Sequence, residues 1–433
     1  GGAYGDSALG QGQLVNNEFI SANPTGPLHL GNGRGGFFGD TVARVLRKTG
    51  YAVMNEYYVN DAGEQILKLG HSVLQDNEAV YTGAYIEELH ARVAQEEAGV
   101  GDPEEDVRRV GSWAAEVVLT EMIQPTLAEK MGIHFDVFTS EKHAVSESGL
   151  VDRALEIFTE KQLSYESEGA VWLKTTIFGD DKDRVLVKQD GTKTYFASDC
   201  GYLLSKMERG FSRLILTLGA DHHGYQGRLR AAATALGFTG RFDFVFVQMV
   251  RLMKEGKEVR MSKRAGNVVS IDELIEAIGP DVTRFFFLLY SPDTHMNFDL
   301  SLAEERSQKN PVYYVQYAHA RLASLLRKAK EEGFDFEEGN AALLIHPKER
   351  ILLAELMAFP DVVAEISEEY AVHHLPQYAI GLADRFHSFY DACRVMDPEV
   401  RELSLARLRL VASVKIVLGE TLRLMGVSAP ESM

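Results

Sequence analysis

The segment Asn23-Pro-Thr-Gly-Pro-Leu-His29-Leu-Gly31-Asn32-Gly33-Arg34-Gly35-Gly36 gathers residue types suited to holding an anion. It lies between an apolar, strand-like run, Leu14 to Ile20, and an amphipathic helix pattern, Phe37 to Thr49, which Gly50 closes. A strand, a glycine-rich turn and a helix in that order present unpaired N–H groups and the positive end of a helix dipole, so phosphate is the first candidate ligand. Gly31-x-Gly33-x-x-Gly36, with Glu56 about twenty residues beyond it, also satisfies the dinucleotide fingerprint and so admits a nicotinamide-dependent oxidoreductase. That reading leaves His29 without a role.

Two other stretches carry chemistry. Gly219-Ala-Asp221-His222-His223-Gly224 directly follows an apolar run of buried-strand type, Leu214 to Leu218, and polar residues at a strand's carboxyl end are where open sheets bind ligands. Lys254 to Asn267 is a charged, glycine-containing loop with five cationic residues in eleven, a composition usual for a solvated turn. Glu18, Asp61 and Asp199 are carboxylates at expected strand ends, a type that suits a guanidinium, which is planar, permanently charged and best held by paired N–H···O bonds.

The elements that must position these residues read as an α/β domain followed by an all-α bundle. Val53 to Gly63 completes a parallel, right-handed β-α-β unit and predicts a doubly wound, Rossmann-type parallel sheet. Residues 66–131 have helical periodicity and form a helical insertion; Phe135 to Thr139 reads as a strand and Leu150 to Lys161 as a helix. A twisted pair of connective strands falls within about residues 165–192, broken by Gly179-Asp-Asp-Lys-Asp183. Thr194 to Ser198 and Leu214 to Leu218 read as buried strands around a helix from Asp199 to Arg209. A helix from Gln226 to Leu236 and a strand from Phe242 to Val250, carrying Gln248, follow. The catalytic unit is expected to span residues 1–301. Beyond it, residues 302–433 describe a bundle of amphipathic helices: Asn310 to Glu331, His346 to Glu369, His374 to Arg394 and Glu402 to Met425.

Composition narrows the class. At 433 residues the chain has room for two to four domains, and no apolar run approaches the roughly 18 residues that span a bilayer. Nothing at the start resembles a secretory leader, which places the protein in the cytoplasm without a membrane partner. Cys200 and Cys393 are too far apart in sequence for metal-ligand spacing and read as core thiols. A net charge of −18 argues against a general nucleic-acid coat, and a local basic groove remains open, best sought in the bundle. The chain has no initiator Met and reaches its first core strand within its opening residues, which reads as a fragment.

His29-Leu-Gly31-Asn32 and Arg260-Met261-Ser262-Lys263-Arg264 resemble the two signature motifs of class I aminoacyl-tRNA synthetases. More narrowly, Glu18 to His29, Tyr57-Tyr-Val-Asn60-Asp61-Ala-Gly63, Thr194-Tyr195-Phe-Ala-Ser-Asp199, Gly219 to Gly224 and Met261 to Asn267 resemble the arginyl-tRNA synthetase family, in the same order. The bundle, with Asn310 to Arg321 and the tail Gly426 to Met433, is similar to that family's anticodon-binding domain. The resemblance implies activation of L-arginine with ATP, carried as its Mg2+ complex, and transfer to tRNA(Arg), by a monomer with no protein-bound metal or prosthetic group.

Residue by residue, the resemblance makes His29, Asn32 and Lys263 catalytic. Such chemistry needs donors aimed at charge building on phosphate oxygens: an imidazole N–H from His29 and a mobile cation from Lys263. ATP contacts fall to Gly31, Gly219, Asp221, His222, Gln248, Met261, Ser262 and Lys263. Arginine contacts fall to Glu18 and Asn23 at the α-amino end, and to Tyr195, Asp199 and Gln226 at the guanidinium. Tyr313, Tyr317, Arg321 and Met433 become tRNA-binding candidates, with aromatic rings to stack on unpaired bases.

The departures are Asn32, which replaces a histidine and cannot carry charge, Arg260, which replaces a lysine, and Thr25, where members lacking the loop lysine carry one instead. The family's N-terminal domain, which touches the tRNA elbow, has no counterpart before Gly1. Besides the oxidoreductase, a noncatalytic RNA-binding paralogue is the alternative, motivated by Asn32 and by the abrupt start.

Overall fold

The computed structural model describes residues 3–96, 103–259 and 269–433. Leu14–Glu18 (β1), Leu30–Lys48 (α1) and Ala52–Val59 (β2) form the parallel β-α-β unit. Glu64–Leu74 (α2), Ala84–Glu96 (α3), Pro103–Val117 (α4) and helical turns at Val118–Ile123 and Thr126–Lys130 fill the following segment. Val137–Ser140 (β3) returns to the sheet. Leu150–Glu160 (α5) then precedes an antiparallel trio, Ser164–Ser167 (β4), Ala170–Leu173 (β5) and Arg184–Val187 (β6), one strand more than the periodicity suggests. Tyr195–Glu208 (α6), Arg213–Gly219 (β7), Tyr225–Leu236 (α7) and Arg241–Val247 (β8) complete the main sheet and its helices.

Val250–Lys254 (β9), Lys257–Glu258 (β10) and Met296–Asp299 (β11) make a small sheet around Ile271–Ile278 (α8) and Pro280–Leu288 (α9). Leu300–Glu304 (α10) leads to the bundle of Pro311–Glu331 (α11), Pro347–Glu369 (α12), His374–Ala392 (α13) and Arg401–Met425 (α14). Among the described residues no helix is long and apolar enough to cross a membrane.

The main sheet runs β3-β2-β1-β7-β8, every pair parallel. Strand order reverses between β1 and β7, so a crevice opens beyond their carboxyl ends, at Glu18 and Gly219. This is the doubly wound sheet that the sequence implies.

Three local readings are corrected. The glycines at 31, 33, 35 and 36 form no turn, because α1 begins at Leu30 and they lie inside it. Their missing side chains admit neighbours: a Cβ would stand 2.5 Å from Ile271 Cδ1 at Gly33, 2.8 Å from Ile20 Cδ1 at Gly36 and 2.3 Å from Phe19 Cγ at Gly39. The run Thr194 to Ser198 is not a strand. Thr194 caps α6 instead, its hydroxyl accepting the Ala197 N–H at 3.2 Å, so the β-prone composition of the run yields to a cap. β11, Met296–Asp299, has no counterpart in the sequence reading.

Glu56, the acid that the dinucleotide fingerprint would place on a ribose, is fully buried. Both of its oxygens accept from Arg209 Nη2 at 2.9 Å, and Asn16 and Thr139 also bond to it. Its carboxylate is a core ion pair, which removes the structural basis for nicotinamide.

α1 is anchored at its far end by ion pairs. Asp40 binds Arg44 at 2.8 Å and the buried Arg284, while Lys48 binds Glu420 of α14 at 2.8 Å and Asp6 at 2.5 Å. Gly426, at φ +70° after α14, sits where a Cβ would meet the Arg284 guanidinium at 2.5 Å. The bundle also docks at the start of β7, where Arg213 donates to the Tyr370 hydroxyl at 2.8 Å and that hydroxyl donates to Asp243 at 2.5 Å.

The close packing along α1 yields a stability prediction. Gly39→Ala, normally helix-favouring, should destabilise the protein by about 1–3 kcal/mol through overpacking against Phe19. Urea unfolding measures this; a variant as stable as the parent, or more so, would show that α1 is free to back away from β1.

Candidate active site

His29 is the N-cap of α1, with extended φ −98° and ψ 174°. Its Nδ1 accepts the N–H groups of Gly31 (3.1 Å) and Asn32 (3.3 Å), and Asn32 Oδ1 accepts the His29 N–H at 3.0 Å, closing a reciprocal capping box. An Nδ1 that accepts twice carries no proton, so the neutral ring holds its proton on Nε2. Nε2 has no hydrogen-bond partner among the described residues, and the cleft walls desolvate the ring and lower its pKa. Asn32 therefore serves as part of a cap, and its Nδ2 remains a donor.

The chain following the second motif is pinned to this same point. Ser270 pairs antiparallel with His29, and the Ile271 N–H donates to Leu28 O at 2.9 Å. Ser270 also caps α8, in a box with Glu273. Met261, Ser262 and Lys263 lie outside the described residues; the chain that resumes after them is held beside His29.

His29, Gly31, Asn32, Glu18, Asn23, Asp199, Gly219, Asp221, His222 and Gln248 line one cavity of about 1400 Å³. On its β7–β8 side, Asp221 is exposed and its carboxylate stands 3.5 Å from His222 Nε2. His223, to which no role fell in the sequence reading, lies flat on Phe246 with ring centroids 3.7 Å apart.

On the β1–β2 side the backbone turns sharply after Glu18. Ile20 and Ser21 have positive φ values of 66° and 40°, strained for a β-branched residue. The Ser21 hydroxyl reaches back to Glu18 Oε1 at 3.3 Å and accepts the Tyr58 N–H at 3.0 Å. Glu18 is buried and already neutralised: its Oε2 accepts from Lys206 and from the Tyr202 hydroxyl, the latter at 3.0 Å. Asp61 is likewise occupied, accepting from the Ser140 hydroxyl at 2.5 Å and the Lys142 N–H at 2.9 Å.

Asp199 differs from both. It sits inside α6, one turn past the cap, and has no hydrogen-bond partner among the described residues. Burial, against the opposing pull of Arg228 and with help from Glu141 and Glu18, raises its pKa to about 7. A cation brought beside such an acid would favour its ionised form and lower its pKa again.

Tyr58, whose ring lies 4.5 Å from that of Tyr202, and Glu141, whose own pKa burial raises, complete the acidic corner. Sequence reasoning assigned no role to either. Tyr58 was within reach, inside the Tyr57–Gly63 motif; Glu141 carried no such mark, because only the fold brings it there. Two expected members stand apart from the lining. Tyr195 is exposed, its hydroxyl over Gly63, and the Gln226 side-chain amide faces Arg230 on its own helix.

In the bundle, Tyr317 is exposed and stacks on His387, while the Arg321 guanidinium lies 4.2 Å above the Tyr390 ring. Tyr313 is half-buried on the same helix, and Met433 is exposed at the chain's end. They share an aromatic, partly cationic face of α11 and α13 only in part, since Met433 ends the tail that follows α14.

A parallel sheet with its crevice at β1/β7, headed by a His-x-Gly-Asn cap, defines a class I tRNA synthetase. The family model for the class I (R) tRNA synthetase catalytic domain matches residues 2–281, and that for the DALR anticodon binding domain matches residues 315–433. The chain belongs to the arginyl-tRNA synthetase family.

Arginine–tRNA ligases from Shouchella clausii and Bacillus subtilis are each 44% identical to it, over 99% and 100% of this chain and 80% of their own length. A solved Campylobacter jejuni structure matches with TM-score 0.89 at 34% identity, over 100% of this chain and 96% of that one. The Thermus thermophilus arginyl-tRNA synthetase shares the fold, with TM-score 0.76 at 24% identity, over 97% of this chain and 83% of that one.

The cap geometry predicts how His29 titrates. Its imidazole should protonate below the ordinary histidine range, as the neutral Nε2–H tautomer. Nitrogen-15 chemical shifts of the ring report both; an Nδ1–H tautomer would be incompatible with the cap.

Proposed function

We infer that this protein is an arginine–tRNA ligase that forms arginyl-adenylate from L-arginine and ATP, then esterifies the 3′ end of tRNA(Arg). The observation that carries this is the convergence, in one cleft, of an imidazole N–H at a helix head and a carboxylate, Asp199, neither with a hydrogen-bond partner among the described residues. In the first step a carboxylate oxygen of arginine attacks the α-phosphorus and pyrophosphate leaves. In the second, a terminal ribose hydroxyl attacks the adenylate's carbonyl carbon and AMP leaves.

Neither step asks for much proton chemistry; both need charge on phosphate oxygens to be met by fixed donors. His29 Nε2–H and Asn32 Nδ2 supply these from α1, and Lys263 supplies a mobile cation. ATP enters with Mg2+ as its counter-ion. Its adenosine lies along Gly219, Asp221, His222 and Gln248, within reach of Met261 and Ser262, with Gly31 under the phosphates. Arginine places its guanidinium on Asp199, with Tyr58 and Glu141 behind and Tyr195 at the rim. Asn23 meets the α-amino group, and Glu18, already paired with Lys206, acts through the shape of the floor. Gln226 joins only by turning away from Arg230.

Residues 1–301 carry the chemistry and 302–433 bind the anticodon, with Tyr313, Tyr317, Arg321 and Met433 as contacts. The protein acts as a cytoplasmic monomer in this reading. The oxidoreductase alternative loses its glycine turn and its free acid to the structure, and the noncatalytic alternative is not favoured by an intact cap and an open Asp199.

Arginine-dependent exchange of pyrophosphate into ATP, run with tRNA(Arg), tests this reading, and absence of exchange with tRNA bound would refute it. His29→Ala should lower kcat by about a hundredfold or more. Asp199→Asn should raise the KM for arginine far more than that for ATP. Because the Asp199 carboxyl has its pKa raised to about 7, its ionised fraction falls from about nine-tenths at pH 8 to about one-tenth at pH 6, so the arginine KM should rise about tenfold across that interval. Asp199→Asn should abolish this pH dependence; a flat profile in the parent protein would remove Asp199 from the site.

A further inference from the structure

Arg34 stands five residues beyond His29 on α1, only 2% exposed, and none of the roles above uses it. Its guanidinium donates to backbone carbonyls of two separate segments: Gln248 at 2.9 Å, and Thr294 and Ser291 each at 2.8 Å. It forms no ion pair among the described residues; Asp293, in the same turn, acts on it only through space. A buried cation without a bonded anion is costly, and an apolar side chain would fill the volume more cheaply. What the cation does, and an apolar residue cannot, is bond several carbonyls at once in the geometry of a fork.

The segments so gathered border the cleft. Gln248 gives its carbonyl to Arg34 and its N–H to Pro292 O at 2.8 Å, so both of its backbone groups are committed to this junction while the residue lines the cavity. Met249, also lining, accepts the Met296 N–H at 3.2 Å where β9 and β11 begin to pair. A single guanidinium thus spans from the helix that carries His29 to the corner that carries Gln248.

We propose that Arg34 is a positioning residue for ATP, setting the separation between the phosphate end of the cleft at His29 and its nucleoside end at Gln248–Met249. The inference rests on the reading of the cleft as an adenylate-forming site. Arginine, held across β1 and β2 on the other wall, does not depend on that separation. Loss of the junction is therefore felt in ATP binding first.

The test is pyrophosphate exchange with tRNA present, together with equilibrium dialysis of ATP, on Arg34→Lys, Arg34→Ala and Pro292→Gly, with thermal midpoints measured alongside. Lysine keeps the charge but cannot bridge both segments. Arg34→Lys should weaken ATP, in KM and at equilibrium, by about tenfold or more, while the arginine KM moves less than about twofold. Millimolar guanidinium ion, at saturating arginine, should restore ATP binding to Arg34→Ala. Pro292→Gly loosens the partner turn without touching the buried charge and should shift ATP in the same direction by a few fold.

A parallel rise in both KM values, or a lowered midpoint with ATP binding unchanged, would reduce Arg34 to a core cation and overturn the proposal. If the Arg34 variants fail to fold, Pro292→Gly with unaltered ATP binding overturns it equally. Should the parent protein show no arginine-dependent exchange, the functional reading falls, and dialysis of ATP still decides the role of Arg34.

Discussion

The cleft depends on how closely α1 can lie against what surrounds it. Glycines at 33, 36 and 39 clear one side of the helix, and Ile271, Ile20 and Phe19 occupy the space. Ordinary side chains at those positions would push the helix outward. The pairing of Ser270 with His29 would then be lost, and with it the link between the first motif and the chain leaving residues 260–268. Burial along this face stabilises the fold, but its more specific effect is to bring two segments distant in sequence to one point. Backbone freedom is not what these glycines provide.

The carboxylates in and behind the cleft follow a division set by what each already bonds. Glu18, Glu56 and Asp61 have their oxygens taken by Lys206, Arg209 and Ser140 respectively, and these bonds hold strand ends in place. Asp199 has no such commitment. Burying several carboxylates close together raises the free energy of the empty site unless each finds a cation. Glu18 and Glu56 find one in Lys206 and Arg209, Asp61 is met by neutral donors, and Asp199 has no hydrogen-bond partner among the described residues.

Much of this was legible in the chain itself. The doubly wound sheet followed from strand-helix alternation, and the bundle from long amphipathic periods with no strand after residue 302. His29, Asn32, Asp199 and Asp221 were singled out by their motifs and Gln248 by its place at a strand's end, and all five line one cavity. The misreadings have local causes. Thr194 to Ser198 has strand-like composition, but a threonine cap overrides it. The glycine run looks like a turn because composition does not distinguish glycine needed for dihedral freedom from glycine needed for clearance. Glu141 and Arg34 were invisible as site residues for another reason: their partners lie tens to hundreds of positions away, and only tertiary packing makes them neighbours.

α1 is also held at its other end. Lys48 and Arg44 grip the last turns of α14, Lys48 through Glu420 and Arg44 through the Arg423 carbonyl at 3.4 Å. At about 1.5 Å per residue the helix is a strut of roughly 28 Å, clamped at one end to the helical bundle and headed at the other by His29. A rigid strut clamped at its foot transmits tilt without absorbing it. The helical run from Leu30 to Lys48 is unbroken, so the bundle and the head of the cleft are joined by one continuous element.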